Sequence, residues 1–446
     1  MVGYTAARFS PSCHAPTLTV PTVGCAPGEN ASSLLPDEPT AKVAAMNESS
    51  SLGHLLSRRG SLAHPWSTVL PPMPGTISFG GGIPDTDSLP LETLAEAARA
   101  ALTEDGAEAL QYGGSFGEWE LREQIAARAN DRSSVSLSPE QVIITTGSSQ
   151  ALDVVCAVFI DPGDVVISED PTFSGSLWTF RAHGARVVPV SMDREGIDVV
   201  ALEGRLHALR TEGIQPKLIY ITPDFQNPTS VRHSEPRRRR LVQLAEEYGT
   251  LIIEDTAYEE IDFGRAPAPA SLLSLAPDRV VQMGTFSKSI GPGLRVGWLA
   301  GAEDITGPSG RGRTDMGSSV AAAKIVARFI RDGQLDPHLE RVKRIYEMKL
   351  DVIVRALAET VGGIAEWDVP DGGFFLWLRF KEGFDVPALL DAAREERVGF
   401  VPGFRFLVEE EPLPALRLAF SQVPLDTIPE GIRRLGLALE RIAVDR

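Results

Sequence analysis

Lysine is rare in this chain, seven of 43 basic residues. One of the seven, Lys288, stands in TFSKSIGPGLRVGW (285–298) between two serines and ahead of Gly291, Gly293 and Gly297. An amine confined among small residues loses proton affinity, because burial disfavours the ammonium, and becomes a usable nucleophile or base. Arg295 follows seven residues later. A lysine held in an ordinary salt bridge is the plain alternative for this segment on its own. Three other segments offer chemistry that would suit such an amine. LIIEDTAYEE (251–260) closes an apolar strand with Glu254 and Asp255 and adds Tyr258. Alternation along a strand turns the two acids to opposite faces. A carboxylate buried there needs a cationic or protonated partner, or else it caps the next turn. TTGSSQALD (145–153) reads as a strand, then Gly-Ser-Ser, then a helix. The first N–H groups of that helix, with Ser148 and Ser149, form either an anion site suited to phosphate or a plain serine cap. ITPDFQNPTS (221–230) brings the amide of Asn227 to a strand end, or merely starts a turn at Asn-Pro.

The elements around these segments are those of an α/β sheet. Apolar β-branched runs recur at QVIITTG (141–147), DVVIS (164–168), ARVVPV (185–190), KLIYITP (217–223), TLIIEDT (250–256), RVVQMGTFS (279–287) and RVGWLAG (295–301). Amphipathic stretches such as EPRRRRLVQLAEEYG (235–249) separate several of them, with apolar residues on one face. Short Val/Ile strands alternating with helices predict a mostly parallel sheet covered on both sides. Ligands bind such sheets beyond the carboxyl ends of the strands, where all four segments fall. After Asp332-Gly333 come a long helix (337–360), a hairpin EWDVPDGGFFLWLRF (366–380), a helix near 386–397, a strand PALRLAFSQV (414–423) and a last helix (429–442). That mixture predicts a smaller α+β domain.

LQYGGSFGEWELRE, TTGSSQALD, DFQNPT, EDTAY and SKSIGPGLRVGW occur in one order over residues 75–440. On these motifs the chain resembles the pyridoxal 5′-phosphate (PLP) enzymes of fold type I, class I/II aminotransferases. It looks closest to the branch of 2-aminoadipate and kynurenine aminotransferases and the aminotransferase-like half of MocR regulators. The resemblance implies a large, mostly parallel seven-stranded sheet domain (81–332) after an arm (46–80), with a smaller α+β C-terminal domain (333–446). It implies that Lys288 carries the cofactor as a Schiff base and moves the substrate's Cα proton. Asp255 would pair with the pyridine nitrogen, and Asn227 and Tyr258 with the phenolic oxygen. Ser148, Ser149, Ser287 and Arg295 would hold the phosphate. Phe173, in SEDPTF, would stack on the ring, and Tyr112 would reach the phosphate of a neighbouring subunit, which implies a homodimer with shared sites. Arg417, in PALRLAF, would grip the substrate α-carboxylate as a two-pronged fork, beside Asn227 and the backbone of Gly82. Glu254 would face away and be structural. The chain departs from the family where NPTS replaces NPTG, so that Ser230 adds a side chain, and where TGSSQ replaces TGSQQ. Its arm SLGHLLSRRGSLAHPWSTVLPPMPG (51–75) is only loosely similar.

The activity so implied passes an amino group between an α-amino acid and a 2-oxo acid. A second reading keeps the cofactor but makes the protein an amino-acid oxidase or monooxygenase of specialised metabolism that uses O₂. The loose arm and the bias to arginine over lysine leave room for it. A MocR-type regulator would need a winged helix before residue 75, and the Pro- and Ser-rich sequence there has no basic recognition helix. The GGSFG stretch (113–117) fits a hydrolase elbow in letters but follows no buried strand. A net charge of −17 opposes nucleic acid or anionic membrane as partner, and no apolar run approaches the roughly 20 residues of a membrane helix. Cys13, Cys25 and Cys156 form neither a disulfide framework nor a metal pattern, so a reducing cytoplasm is expected. The seven histidines show no metal-binding spacing. Residues 1–45, rich in Pro, Thr, Ser and Ala, read as a disordered extension, with Met46 as the expected natural start.

Overall fold

The structure, a computed structural model, describes residues 52–62, 73–133, 135–409 and 411–444. The expected disordered stretch 1–45, the start at Met46, Cys13, Cys25 and part of the arm lie outside these residues. The strands are numbered along the chain from β1 (Ile77–Ser78). The large sheet comprises β2 (Val142–Thr145), β3 (Val165–Asp170), β4 (Arg186–Asp193), β5 (Gly196–Ile197), β6 (Leu218–Ile221), β7 (Leu251–Asp255), β8 (Val280–Thr285) and β9 (Gly297–Gly301). Its order is β2-β9-β8-β7-β6-β3-β4-β5. The pairs among β8, β7, β6, β3 and β4 are parallel, and β9 runs antiparallel to both its neighbours. All seven expected strands are present. The sheet has eight rather than seven because β4 turns back at Gly196 (φ +112°) into the two-residue β5.

The Val/Ile runs form buried strands because both faces of the sheet are covered. Ile143, Val166, Leu218, Ile253, Val281 and Leu299 pack in one cluster with the helix Ser148–Phe159. Val165, Ile167, Ile219, Ile252 and Val280 pack in another with the helices Val199–Thr211 and Glu235–Tyr248. Each fully buried side chain of this kind contributes about 1.5–3 kcal/mol. The helix Glu235–Tyr248 carries Pro236 in its first turn and ends at Gly249, whose left-handed φ of +66° closes it.

The second lobe is built on β10 (Ala365–Glu366), β11 (Phe375–Phe380), β12 (Val398–Gly399), β13 (Val401–Pro402) and β14 (Ala415–Ala419). Four of these form an antiparallel sheet in the order β10-β11-β14-β13, while β12 pairs in parallel with β1. The helices Leu335–Thr360, Val386–Glu395 and Ile428–Val444 cover this lobe, sharing a core that includes Leu350, Ile353, Leu357, Ile432 and Leu435. Phe79 joins the two: its N–H donates to Gly399 and its carbonyl accepts from Ala419, at 2.8 and 2.7 Å. The glycine segment 80–82 therefore hangs from the smaller lobe. No helix among the described residues is long and apolar enough to cross a membrane.

Thr145, Ile221, Asp255 and Thr285 end β2, β6, β7 and β8 at one edge, and the antiparallel β9 begins there at Gly297, paired with both Thr145 and Thr285. A Cβ on Gly297 would come within 2.6 Å of the Gly147 carbonyl carbon. Glycine at that position lets the start of the Ser148–Phe159 helix approach the turn that carries Arg295.

Candidate active site

Asp255 ends β7 and is buried. Its Oδ2 accepts from the Tyr220 hydroxyl at 2.7 Å and its Oδ1 from the Ala257 N–H at 3.1 Å. Burial lifts the carboxyl to about 6, against the pull of these two donors and of the Lys288 charge. Glu254 points to the other side, as strand alternation requires. It accepts from the N–H groups of Leu272 and Leu273 and from Gln282 Nε2, at 2.7, 3.0 and 2.9 Å. One acid is a cap; the other faces the edge.

Lys288 is half-buried on the turn after β8. Its Nζ donates to the Gly82 carbonyl at 2.7 Å and lies 5.6 Å from the centre of the Tyr258 ring. Burial first, then the Arg417 charge, lower its ammonium to about 8, and Asp255 opposes them. Tyr258 is buried edge-on to Phe375 beside Asn227, with burial pushing its phenol up. Asn227 Oδ1 accepts from Arg417 Nη1 at 2.7 Å, and Arg417 Nη2 donates to the Gly80 carbonyl at 2.7 Å. The guanidinium is 1% exposed and lies 4.3 and 4.9 Å from the rings of Phe375 and Phe406. Burial lowers it to about 10. Its Nε has no partner, and no carboxylate lies within ion-pair distance of it among the described residues.

A second cluster forms at the helix start. Arg295 sits in the left-handed region at φ +53° and donates to the Thr146 carbonyl at 3.1 Å and to Ser287 Oγ at 3.4 Å. Ser287 Oγ also accepts from Thr285 Oγ1 at 2.9 Å. A Cβ on Gly147 (φ +77°) would stand 2.7 Å from Arg295 Nη2, so glycine opens the space between the arginine and the N-terminus of the helix that begins Ser148-Ser149. The structure thus gathers Lys288, Asp255, Asn227, Tyr258, Gly82 and Arg417 into one connected set, with Ser148, Ser149, Ser287 and Arg295 beside it. Phe173, half-buried, caps the helix Ser174–Ala182 on the loop after β3. Tyr112 is 83% exposed.

Sequence reasoning missed three participants. Tyr220 holds Asp255; a hydroxyl-bearing aromatic inside the apolar run LIYI was its only signal. Gln226 braces the Asn227 loop, donating to the Pro171 carbonyl at 2.8 Å and accepting from Thr229 N and Oγ1 at 3.0 and 2.8 Å. Phe375 supports Arg417 and carries no local signal, whereas the Gly80 carbonyl that Arg417 also meets lies in the glycine segment SFGGGIP (78–84), expected beside the carboxylate.

PLP fits this set on the chain's own geometry. A helix N-terminus with an arginine and a serine matches a phosphate, a buried carboxylate at the sheet edge matches a protonated ring nitrogen, and an amine of lowered proton affinity matches an aldehyde. Residues 74–435 match the family model "Aminotransferase class I and II". The chain is 37% identical to the 2-aminoadipate transaminase of Thermus thermophilus, over 82% of this chain and 91% of that protein. It is 34% identical to aromatic-amino-acid aminotransferase 1 of Thermococcus litoralis, over 81% and 87%. Among solved structures it superposes on the α-aminoadipate aminotransferase LysN of Thermus thermophilus, complexed with N-(5′-phosphopyridoxyl)-L-leucine. That match has a TM-score of 0.81 and 34% identity, and covers 89% of this chain and all of that one. The chain belongs to the class I and II aminotransferases and is a PLP-dependent aminotransferase of fold type I.

Proposed function

We propose that the protein moves an amino group between an α-amino acid and a 2-oxo acid, working as a homodimer in the cytoplasm. The observation that carries the substrate class is Arg417: a buried guanidinium with no acid beside it among the described residues costs folding energy that a bound α-carboxylate would offset. Both substrates of a transamination bring that carboxylate. When bound, the cofactor supplies an aldehyde carbon that receives the amino group and a ring that accepts an electron pair. The remaining work belongs to the side chains. Asp255, held by Tyr220, keeps a negative charge for the ring nitrogen, and Asn227 and Tyr258 offer donors to the phenolic oxygen. Ser148, Ser149, Ser287 and Arg295 bind phosphate, and Phe173 supports the ring. Arg417 and Gly82 orient the substrate so that its Cα–H faces Lys288, which takes that proton and returns one.

Tyr112 supports the dimer reading. It stands exposed two residues beyond Leu110, itself exposed at the end of the short helix Gly106–Leu110, and Gly114 just after it packs against Gly317, the neighbour of the exposed Met316. The low cysteine content supports the compartment. Steady-state assays of a panel of amino donors against several 2-oxo acids, with dissolved O₂ recorded, test the reading. Turnover is expected to require a 2-oxo acid in stoichiometric amount. Amino-acid consumption that draws on O₂ with no oxo acid present would replace this reading with the oxidase one.

A further inference from the structure

The loop that delivers Asn227 leans on the smaller lobe at both ends. Phe225 and Ser230 are its two residues of positive φ, +51° and +58°, a region that disfavours any residue with a Cβ. Phe225 packs beneath Gly372 and Gly373, where a Cβ would come within 2.4 and 2.7 Å of its atoms. Ser230 is buried and donates its hydroxyl to the Phe375 carbonyl at 2.8 Å. Phe375 opens β11, and its ring meets three groups of the site: the Arg417 guanidinium at 4.3 Å, the Tyr258 ring at 5.3 Å, and the space beside Gly82, where a Cβ would be 2.8 Å from Cζ. The same loop meets the adjacent strand β14 through the bond from Arg417 to Asn227. One loop of the large sheet is thus fixed to two neighbouring strands of the smaller one.

The two cross-links differ in kind. The bond at Asn227 uses a guanidinium nitrogen that an incoming carboxylate would share. The bond at Ser230 uses no atom that meets the ligand, so it can hold loop and strand together while the fork is filled. Serine stands here where the family motif has glycine, and it adopts a backbone conformation that glycine would adopt without penalty. We infer that Ser230 is a positioning residue for carboxylate recognition, setting the separation of Arg417 and Asn227 through Phe375. The inference rests on the assignment of Arg417 to the substrate carboxylate.

The test uses the PLP-loaded protein and two amines that lack a Cα hydrogen, 2-aminoisobutyrate and tert-butylamine; a methyl group in the second replaces the carboxylate of the first. Half-saturation of the change in cofactor absorbance reads binding without turnover. Ser230→Gly and Ser230→Ala are each expected to weaken 2-aminoisobutyrate about tenfold, the loss of one buried hydrogen bond, and to leave tert-butylamine within about twofold. Amide exchange across Phe375–Phe380 in the unliganded chain is expected to quicken in both variants. Equal weakening of the two amines, or unchanged 2-aminoisobutyrate binding in Ser230→Gly, overturns the inference. If alanine at that φ prevents folding, Ser230→Gly decides alone. Wild-type protein that takes up no PLP would fail the cofactor reading instead. Exchange at Phe375–Phe380 would then still decide for the cross-link if Ser230→Gly quickens it, and against it if exchange is unchanged.

Discussion

The two sides of the site treat their charges differently. At the edge of the large sheet, Asp255 is met by Tyr220 and the Ala257 N–H, and Lys288 by the Gly82 carbonyl. On the smaller sheet, Arg417 is more deeply buried and, among the described residues, has an amide and a carbonyl for company but no anion, with Nε unpaired. A protein can retain a buried cation in that state only if its cost is small against total stability or if a ligand supplies the missing charge. The difference fits the proposed roles, a permanent group held at the large sheet and a substrate carboxylate that comes and goes at Arg417.

Five experiments can break or sharpen that contrast. The largest effect belongs to Lys288→Ala, expected to slow the half-reaction with an amino acid by about 10⁴-fold or more, since one group serves as both anchor and base; single-turnover spectroscopy measures it. Asp255→Ala follows, lowering kcat/KM by about 10²–10³-fold, the scale of a lost preorganised charge, with Arg417 untouched. Arg417→Lys keeps the charge and loses the fork. It should raise KM for the amino acid and the oxo acid by about 10–100-fold and change kcat less. The fourth is a pH profile of PLP uptake by the unliganded protein. Only the free amine attacks an aldehyde, and Lys288 is lowered to about 8, so uptake should be level above that pH and fall about tenfold per unit below it. Below about 6, Asp255 loses its charge as well, and the fall should steepen. The smallest effect is expected at Glu254→Ala, which removes a cap rather than a site group. The urea midpoint should drop by an amount equivalent to about 1–3 kcal/mol while kcat/KM stays within about threefold.

Much of this was legible in the residues. The two acids of LIIED were assigned opposite faces from strand periodicity alone, and Lys288, Asp255, Asn227 and Tyr258 come together because their motifs end neighbouring strands. Periodicity is local information, and it sufficed where the candidate residues sit at a strand end. Tyr220 was hidden because an aromatic in a buried strand reads as core. Phe375 was hidden for the same reason, inside GGFFLWLRF. The Arg417–Asn227 bond joins two sheets, and no spacing along the chain encodes such a pairing. The extra strand β5 escaped notice because two residues carry no periodicity.

The parallel pairing of Ile77 with Val398 has a consequence for the order in which the protein becomes competent during synthesis. Asp255, Lys288 and Arg295 all precede the smaller lobe, so the strand ends that carry them are synthesised first. The Gly80–Gly82 segment must wait, because the strand that anchors it is made much later. A chain halted before that point would lack Arg417, the strand that anchors Gly80–Gly82, and the Phe375 carbonyl that holds the Asn227 loop.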